Sequence, residues 1–214
     1  MPLIPGPSTA ATEALGPDDL VAVVIQGPDA AHFLQGQLSA DVEKLASGSG
    51  TLAGLHNPQG RVLAVLRLAR TGTEEFVVHL PHELADTVVR HLRRYVLRAK
   101  VRVEQSRTSP VPVDGLADIR QGLPQVYAVT SEMFVAQMLN LDLLGAIAFD
   151  KGCYTGQEII ARVHYRGAVK RHMQALRLEG PPPEPGTRLD SGEVVDAVAI
   201  PRGGSLALVV TSSG

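Results

Sequence analysis

A tight turn between two strand-like runs is the feature that most restricts the fold of this chain. The tetrapeptide 57–60, Asn-Pro-Gln-Gly, joins an apolar run at 51–55 to a longer run at 61–70. Proline fixes φ and glycine accepts positive φ, so this tetrapeptide favours a chain reversal. A second turn at 71–73, Thr-Gly-Thr, leads into a third run at 75–80. Three consecutive strands joined by short turns predict an antiparallel meander.

Two helices and two further strands are predicted around this meander. The first helix begins at 27–29, Gly-Pro-Asp, and the second covers 81–98 with apolar residues close to a 3.6-residue period. Short β-branched runs at 20–25 and 101–104 read as strands. The order β-α-β-β-β-α-β indicates an α+β fold, with helices on one face of an antiparallel-rich sheet. The apolar positions of the second helix are 84, 85, 88, 89, 92, 95 and 96.

The C-terminal part is expected to form a small β-barrel, because short strand-like runs alternate there with Pro/Gly turns. Before it, a stretch rich in Pro, Ser and Thr at 106–115 predicts a connector. We therefore expect a flexible N-terminal segment at 1–17, an α+β domain at 18–168 and the barrel domain at 169–214. The C-terminal strands are expected at 174–178, 193–200 and 206–211.

Composition narrows the class of protein. The net charge of −2 gives no indication that the chain as a whole binds nucleic acid or a membrane surface. A single cysteine excludes an internal disulfide and a zinc site built from several thiolates, and it is typical of a reducing compartment. Residues 1–17 do not resemble a leader, and we read no run of membrane-spanning length. We expect a cytoplasmic protein with no membrane partner and no direct nucleic-acid partner.

The polar side of the second predicted helix is strongly basic. It could bind an anion such as phosphate, polyglutamate or RNA, or it could be a solvated face balanced by acids elsewhere. We favour the solvated face, because no aromatic stacking residues are interleaved with the cations on that side. The basic residues are Arg90, His91, Arg93, Arg94 and Arg98, followed by Lys100 and Arg102.

The octapeptide 151–158, Lys-Gly-Cys-Tyr-Thr-Gly-Gln-Glu, contains the only cysteine, Cys153. The residues after it have helical character and Thr155 is a candidate cap, so the thiol is expected in a turn near a helix N-terminus. The helix dipole and Lys151 would favour a thiolate or a bound anion there. The alternative is a small buried cysteine, but the flanking glycines favour a reactive thiol.

Other polar residues near this thiol leave two interpretations open. Gln157 and Glu158 could pair with a heterocycle such as a pterin, whereas Glu158 could equally occupy a helix first turn where negative charge is favoured. A Cys–His nucleophile would need a base, for which His164 and His172 are candidates. Metal ligation lacks any characteristic ligand spacing, so no metal site is expected.

The octapeptide closely resembles the signature of the YgfZ family of folate-binding proteins. These are relatives of the glycine-cleavage T-protein, an aminomethyltransferase. The resemblance spans about residues 20–210, and the chain is identified as a member of this family. The other matching segments are 27–30 and 33–37 in the first strand–helix unit, 55–61 in the hairpin, 134–140 before the octapeptide and 165–167 after it.

The resemblance implies a folate-binding α+β core followed by a small β-barrel. It implies tetrahydrofolate or a derivative as cofactor, and a role in iron–sulfur cluster assembly or repair that is linked to tRNA modification. The implied partners are iron–sulfur proteins or their assembly machinery. The implied reactive thiol is Cys153, and the implied folate-contacting residues are Asn57, Lys151, Gly152, Tyr154, Gly156, Gln157, Glu158 and Arg166.

Three departures from the family pattern bear on activity. The T-protein carries a paired acid on the hairpin strand, and the matching residues here are Ala64 and Val65, which cannot transfer a proton. The family's middle module is replaced by the connector at 106–115. Arg120 stands where the family often has an acid, and it could instead take the glutamate tail of folate.

We therefore expect an accessory protein without aminomethyltransferase activity. One alternative is a folate-dependent aminomethyl or one-carbon transferase. Another is a degenerate scaffold that keeps the fold and has lost the ligand.

Overall fold

The computed structural model describes residues 20–106, 113–167 and 169–212. The expected flexible segment at 1–17 and most of the expected connector at 106–115 lie outside these ranges. The described residues form two antiparallel sheets with few helices, and the sheet near the C-terminus is curled as a half-barrel. The predicted α+β fold class is confirmed.

The first sheet contains the predicted meander. Its strands are β1 (Leu20–Gln26), β2 (Gly50–His56), β3 (Val62–Arg70), β4 (Glu75–Pro81) and β5 (Arg102–Gln105). Their spatial order is β2-β3-β4-β1-β5, and every neighbouring pair is antiparallel. The turn at 57–60 joins β2 to β3, so its tip lies at one end of the sheet.

The helices are α1 (Ala30–Gln35), α2 (His82–Tyr95), α3 (Gly115–Arg120) and α4 (Gln157–Arg166). The apolar stripe of α2 is buried as its periodicity predicts, through Leu84, Ala85, Val88, Val89 and Leu92. The helix ends earlier than predicted, because Val96 has ψ of 75° and leaves the helical conformation. Tyr95, assigned to the apolar stripe from the sequence, is 38% exposed.

The second sheet supports the interpretation of the C-terminal part. Its strands are β6 (Arg171–Leu178), β7 (Arg188–Leu189), β8 (Gly192–Ala199) and β9 (Ser205–Ser212), in the order β6-β9-β8-β7. One buried cluster includes residues of both sheets, for example Ile25 and Phe76 together with Met173 and Leu208. Apolar packing therefore fixes one sheet against the other.

No helix within the described ranges is both long enough and apolar enough to cross a membrane.

Candidate functional site

The octapeptide forms a turn that exposes two consecutive residues and anchors the residues on either side of them. Gly152 and Cys153 are exposed to solvent, whereas the Tyr154 side chain is buried. The Lys151 ammonium donates hydrogen bonds to the carbonyl oxygens of Leu38 and Ala40, both at 2.7 Å. The chain is thereby held on both sides of Cys153 while the thiol faces water.

Tyr154 is the apolar anchor of this turn. Its ring lies 5.1 Å from the Lys151 Nζ atom, a distance typical of a cation–π contact, and its centroid lies 6.3 Å from that of His56. The Tyr154 hydroxyl and both His56 ring nitrogens are buried without a hydrogen-bond partner among the described residues. Burial raises the pKa of Tyr154 to about 12 and lowers the pKa of His56 to about 3. Both side chains are therefore neutral near pH 7.

The N-cap residue of α4 is Gly156, so the prediction of Thr155 as the cap is wrong. Gly156 has φ of +82°, and no side chain caps the helix. A Cβ atom on Gly156 would lie 2.6 Å from the Asn57 carbonyl oxygen. On the hairpin side, a Cβ atom on Gly60 would lie 3.0 Å from the Cβ atom of Ile159. The hairpin tip and the start of α4 are therefore packed backbone to backbone.

Several predicted folate-contacting side chains are engaged within the chain. The Asn57 side-chain oxygen accepts the backbone N–H groups of Gln59 and Arg61 at 3.0 and 2.9 Å, which stabilises the turn. The Gln157 side-chain oxygen accepts the Tyr154 N–H at 3.3 Å. These two side chains therefore stabilise the backbone of the site through hydrogen bonds within the chain.

The remaining predicted contacts lie on the surface of α4. Glu158 is exposed and forms an ion pair with Arg162 at 2.8 Å, one helical turn further on. Arg166 is also exposed, at the last position of the helix. Both side chains are therefore accessible to a ligand.

Two cavities lie away from the octapeptide. An open cleft of about 430 Å³ is lined by Gln26, Gly27, Glu74, Lys100, Val101 and Arg102. A cavity of about 20 Å³ between α3 and β8 is lined by residues that include Asp118, Tyr127 and Asp196. The smaller one has room for about one water molecule, not for a pterin. None of the predicted folate residues lines either of these two cavities.

The structure also shows where the residues that depart from the family pattern lie. Ala64 and Val65 are buried in β3, where they pair with Leu55 and Gly54. Arg120 is exposed at the end of α3, and the acid nearest to it in that helix, Asp118, forms an ion pair with Arg67.

His56 is a site residue that the sequence analysis missed. It lies on β2 directly before the turn, and its Nε2 atom would be 2.3 Å from a Cβ atom placed on Gly54. Glycine at position 54 therefore makes the space in which the imidazole sits beside Tyr154. The sequence signal that could have identified His56 is a histidine directly before a tight turn.

Within the described ranges, no group of three or more His, Cys, Asp or Glu side chains is placed to hold a metal ion. Cys153 is an exposed free thiol.

Comparison with known proteins places these features in a family. The model of the GCVT N-terminal domain matches residues 18–117. A protein of Haemophilus influenzae described as uncharacterized is 32% identical, over 73% of this chain and 70% of its own length. The chain belongs to the YgfZ/GcvT-like family.

Two other similarities add detail to this assignment. Proteins named "tRNA-modifying protein YgfZ" are 26% identical in both Edwardsiella ictaluri and Cronobacter sakazakii. They are matched over 69% and 83% of their length, by 75% and 92% of this chain. The Cronobacter alignment runs over 275 positions, more than this chain contains, so that relative has segments without a counterpart here.

The fold of this YgfZ/GcvT-like chain also matches a solved structure. The glycine cleavage system aminomethyltransferase T from Bartonella henselae superposes with a TM-score of 0.63, over 91% of this chain and 77% of that one. Sequence identity is 15%, so the similarity establishes the fold only.

Lys151 should give the stability of this chain a distinctive pH dependence. Burial lowers its pKa to about 8 from an ordinary 10.5, although Asp41 and Glu43 act in the opposite direction. Between these values the unfolded chain binds more protons than the folded chain, so the stability contributed by Lys151 rises with pH. A neutral amine still has two N–H groups for the two carbonyls. We expect wild type to gain stability relative to Lys151→Met as the pH rises from 7.5 to 10, measured by urea unfolding.

Lys44→Met is the matched control for this measurement. The Lys44 side chain is exposed, and its hydrogen bond to Asp41 raises its pKa above 10.5. Its contribution is fully present below 10.5, the ordinary pKa that applies to the unfolded chain, and is lost as the pH rises above that value. The difference between wild type and Lys44→Met should therefore stay nearly flat over the same interval. A flat difference for Lys151→Met would contradict the prediction.

Proposed function

We propose that this chain is an accessory protein of iron–sulfur cluster assembly or repair that serves tRNA modification, acts through Cys153 and binds a reduced folate. The observation that carries the proposal is the exposure of the Cys153 thiol on an anchored turn. Cys153 is exposed, while Lys151 and Tyr154 on either side of it are tied into the fold. The link to tRNA is supported by the relatives named tRNA-modifying proteins.

The thiol is suited to a transient contact with a cluster. Iron–sulfur clusters are commonly held by four cysteine thiolates, and this chain has one cysteine. Cys153 can therefore supply one ligand, and the partner must supply the others. In this proposal the cluster is cargo that belongs to the iron–sulfur protein being assembled or repaired.

Aminomethyl transfer is not part of the proposed function. That chemistry needs an acid or base near the one-carbon group, and the hairpin strand has the buried apolar side chains of Ala64 and Val65 at the matching positions. Tyr154 and His56 are nearby but are held neutral by burial, so neither is poised for proton transfer near pH 7.

Folate binding is proposed with reduced affinity. Membership of the YgfZ/GcvT-like family supports it, whereas the engaged side chains of Asn57 and Gln157 leave fewer free polar groups for a pterin. The exposed Arg166 remains available for the carboxylates of a glutamate tail.

Replacing Cys153 with serine tests the role of the thiol. We expect Cys153→Ser to support at least tenfold less activity of a dependent iron–sulfur enzyme than wild type does. The assay uses cells that lack their own YgfZ-type protein. The exposed position predicts a change of about 0.5 kcal/mol or less in the free energy of unfolding, so the loss would not come from misfolding. Full rescue by Cys153→Ser would refute the proposal.

Two measurements separate this function from its rivals. Steady-state transfer of an aminomethyl group to tetrahydrofolate by the purified chain would favour a one-carbon transferase. Calorimetry and thermal unfolding with tetrahydrofolate test the degenerate scaffold, since a ligand at a hundredfold excess over its Kd adds about 2.7 kcal/mol of stability. No heat and no shift in Tm at millimolar folate would favour the scaffold.

A further inference from the structure

A dense cluster of positive side chains lies far along the sequence from the octapeptide, at the end of α2 and the start of β5. Six of the 20 lysines and arginines fall within residues 90–102, and no acid occurs between Asp86 and Glu104. Because the net charge of the whole chain is −2, the remainder is acidic and this surface stands out. We call it the basic ridge; its cations, all exposed, are Arg90, Arg93, Arg94, Arg98, Lys100 and Arg102.

The helix dipole does not account for this many cations. Positive side chains are favoured in the last turn of a helix, and the effect fades beyond that turn. Here α2 ends at Tyr95, yet Arg98, Lys100 and Arg102 follow outside it. Nearby carboxylates offset the positive charge of the ridge only in part. Glu104 lies 3.7 Å from Arg102, and Asp29 accepts a hydrogen bond from the backbone N–H of Lys100 at 2.7 Å. Glu74 lines the open cleft, and Glu132 lies near His91.

Aromatic rings are interleaved with these cations, contrary to the sequence-based interpretation. Tyr95 is 38% exposed, and its ring centroid lies 5.2 Å from that of His91, one helical turn earlier. Arg90 and Arg94 occupy the neighbouring stripe of the same helix at the same spacing. The structure therefore joins an aromatic stripe to a cationic stripe on one exposed face.

We propose that the basic ridge binds single-stranded nucleic acid. Guanidinium groups pair with phosphate oxygens in a bidentate manner, and five of the six cations are arginines. An exposed tyrosine between them can stack on an unpaired base, which is the combination found in proteins that bind single strands without sequence preference. The cleft of about 430 Å³ is lined in part by Lys100 and Arg102, so it adjoins the ridge and offers space for the nucleic-acid strand. This inference is independent of Cys153 and of folate.

Fluorescence anisotropy with the full chain and a labelled RNA of about 12 nucleotides, within the usual site size, tests the proposal. We expect Arg94→Ala/Arg98→Ala to bind about tenfold more weakly near 50 mM salt. Its salt dependence should flatten by about 0.7 in log–log slope for each phosphate that the variant no longer neutralises. Arg177→Ala/Arg202→Ala removes the same charge from exposed positions on and near the second sheet, and should bind like wild type.

A second variant distinguishes nucleic acid from other polyanions. Tyr95→Ala should weaken binding about fivefold or more because base stacking is removed, with the salt slope unchanged. A DNA strand of the same sequence, polyglutamate and anionic vesicles complete the comparison; binding of RNA or of DNA that depends on Tyr95 supports the proposal and identifies the nucleic acid. Tighter binding to polyglutamate or vesicles, equal weakening in the Arg177/Arg202 control, or a Tyr95→Ala variant that binds like wild type would overturn it.

Discussion

A Gly156→Val variant should unfold about 10 °C below wild type, with a loss of roughly 2–5 kcal/mol in the free energy of unfolding. Gly156 has φ of +82°, a conformation that costs an L-residue with a side chain about 1–2 kcal/mol. The new Cβ atom would also lie 2.6 Å from the Asn57 carbonyl oxygen and 3.1 Å from the Gly60 Cα atom. Both are backbone atoms, so the clash cannot be relieved by turning a side chain.

The other glycine of the octapeptide provides the control. Gly152 is exposed, and nothing lies within 4 Å of a Cβ atom placed on it. Gly152→Ala should therefore change the free energy of unfolding by about 0.5 kcal/mol or less, although it is closer in sequence to Cys153. Thermal unfolding of both variants followed by circular dichroism is sufficient. Equal losses in the two would show that the hairpin contact at Gly156 does not contribute to stability.

Truncation of Tyr154 should be as damaging as a core deletion, whereas removal of its hydroxyl should be harmless. Tyr154→Ala leaves a ring-sized gap between Lys151 and His56, and comparable aromatic deletions cost about 3–5 kcal/mol. Tyr154→Phe removes a buried hydroxyl that has no partner among the described residues, and a group of that kind costs about 1–3 kcal/mol. The phenylalanine variant should therefore be as stable as wild type or more stable.

Urea unfolding of the Tyr154 pair, combined with the iron–sulfur enzyme assay, tests the role of the ring. If the ring acts only as an anchor, Tyr154→Phe retains full activity and Tyr154→Ala loses both stability and activity. Should Tyr154→Phe be as unstable as Tyr154→Ala, the hydroxyl must have a hydrogen-bond partner, such as an ordered water. Should it be stable but inactive, the hydroxyl itself takes part in function.

The parts of the fold that depend on residues close together in the sequence were predictable. The meander follows from the turns at 57–60 and 71–73, and α2 follows from its period. β7 was missed because two residues are too short for any pattern to emerge. Tyr95 was misplaced because periodicity gives the face of a helix and not its last residue.

The site was predictable only in part, for a different reason. The octapeptide indicated an accessible thiol before a helix, and the structure contains both. Its contacts with Leu38, Ala40 and Asn57 join segments that are far apart in sequence, and no periodic pattern encodes such pairings. The same limit applies to His56, whose importance is visible only once Tyr154 lies beside it.

The packing of Gly156 against the hairpin tolerates changes in the length of the chain between them. This contact closes a loop of about a hundred residues, and the entropy of closing a flexible loop grows only with the logarithm of its length. Doubling such a loop costs about 0.6 kcal/mol. A module inserted between hairpin and octapeptide, or deleted from there, therefore changes the closure free energy by less than one buried methyl group contributes. The length of the segment between the hairpin and the octapeptide therefore has little effect on the stability of this contact.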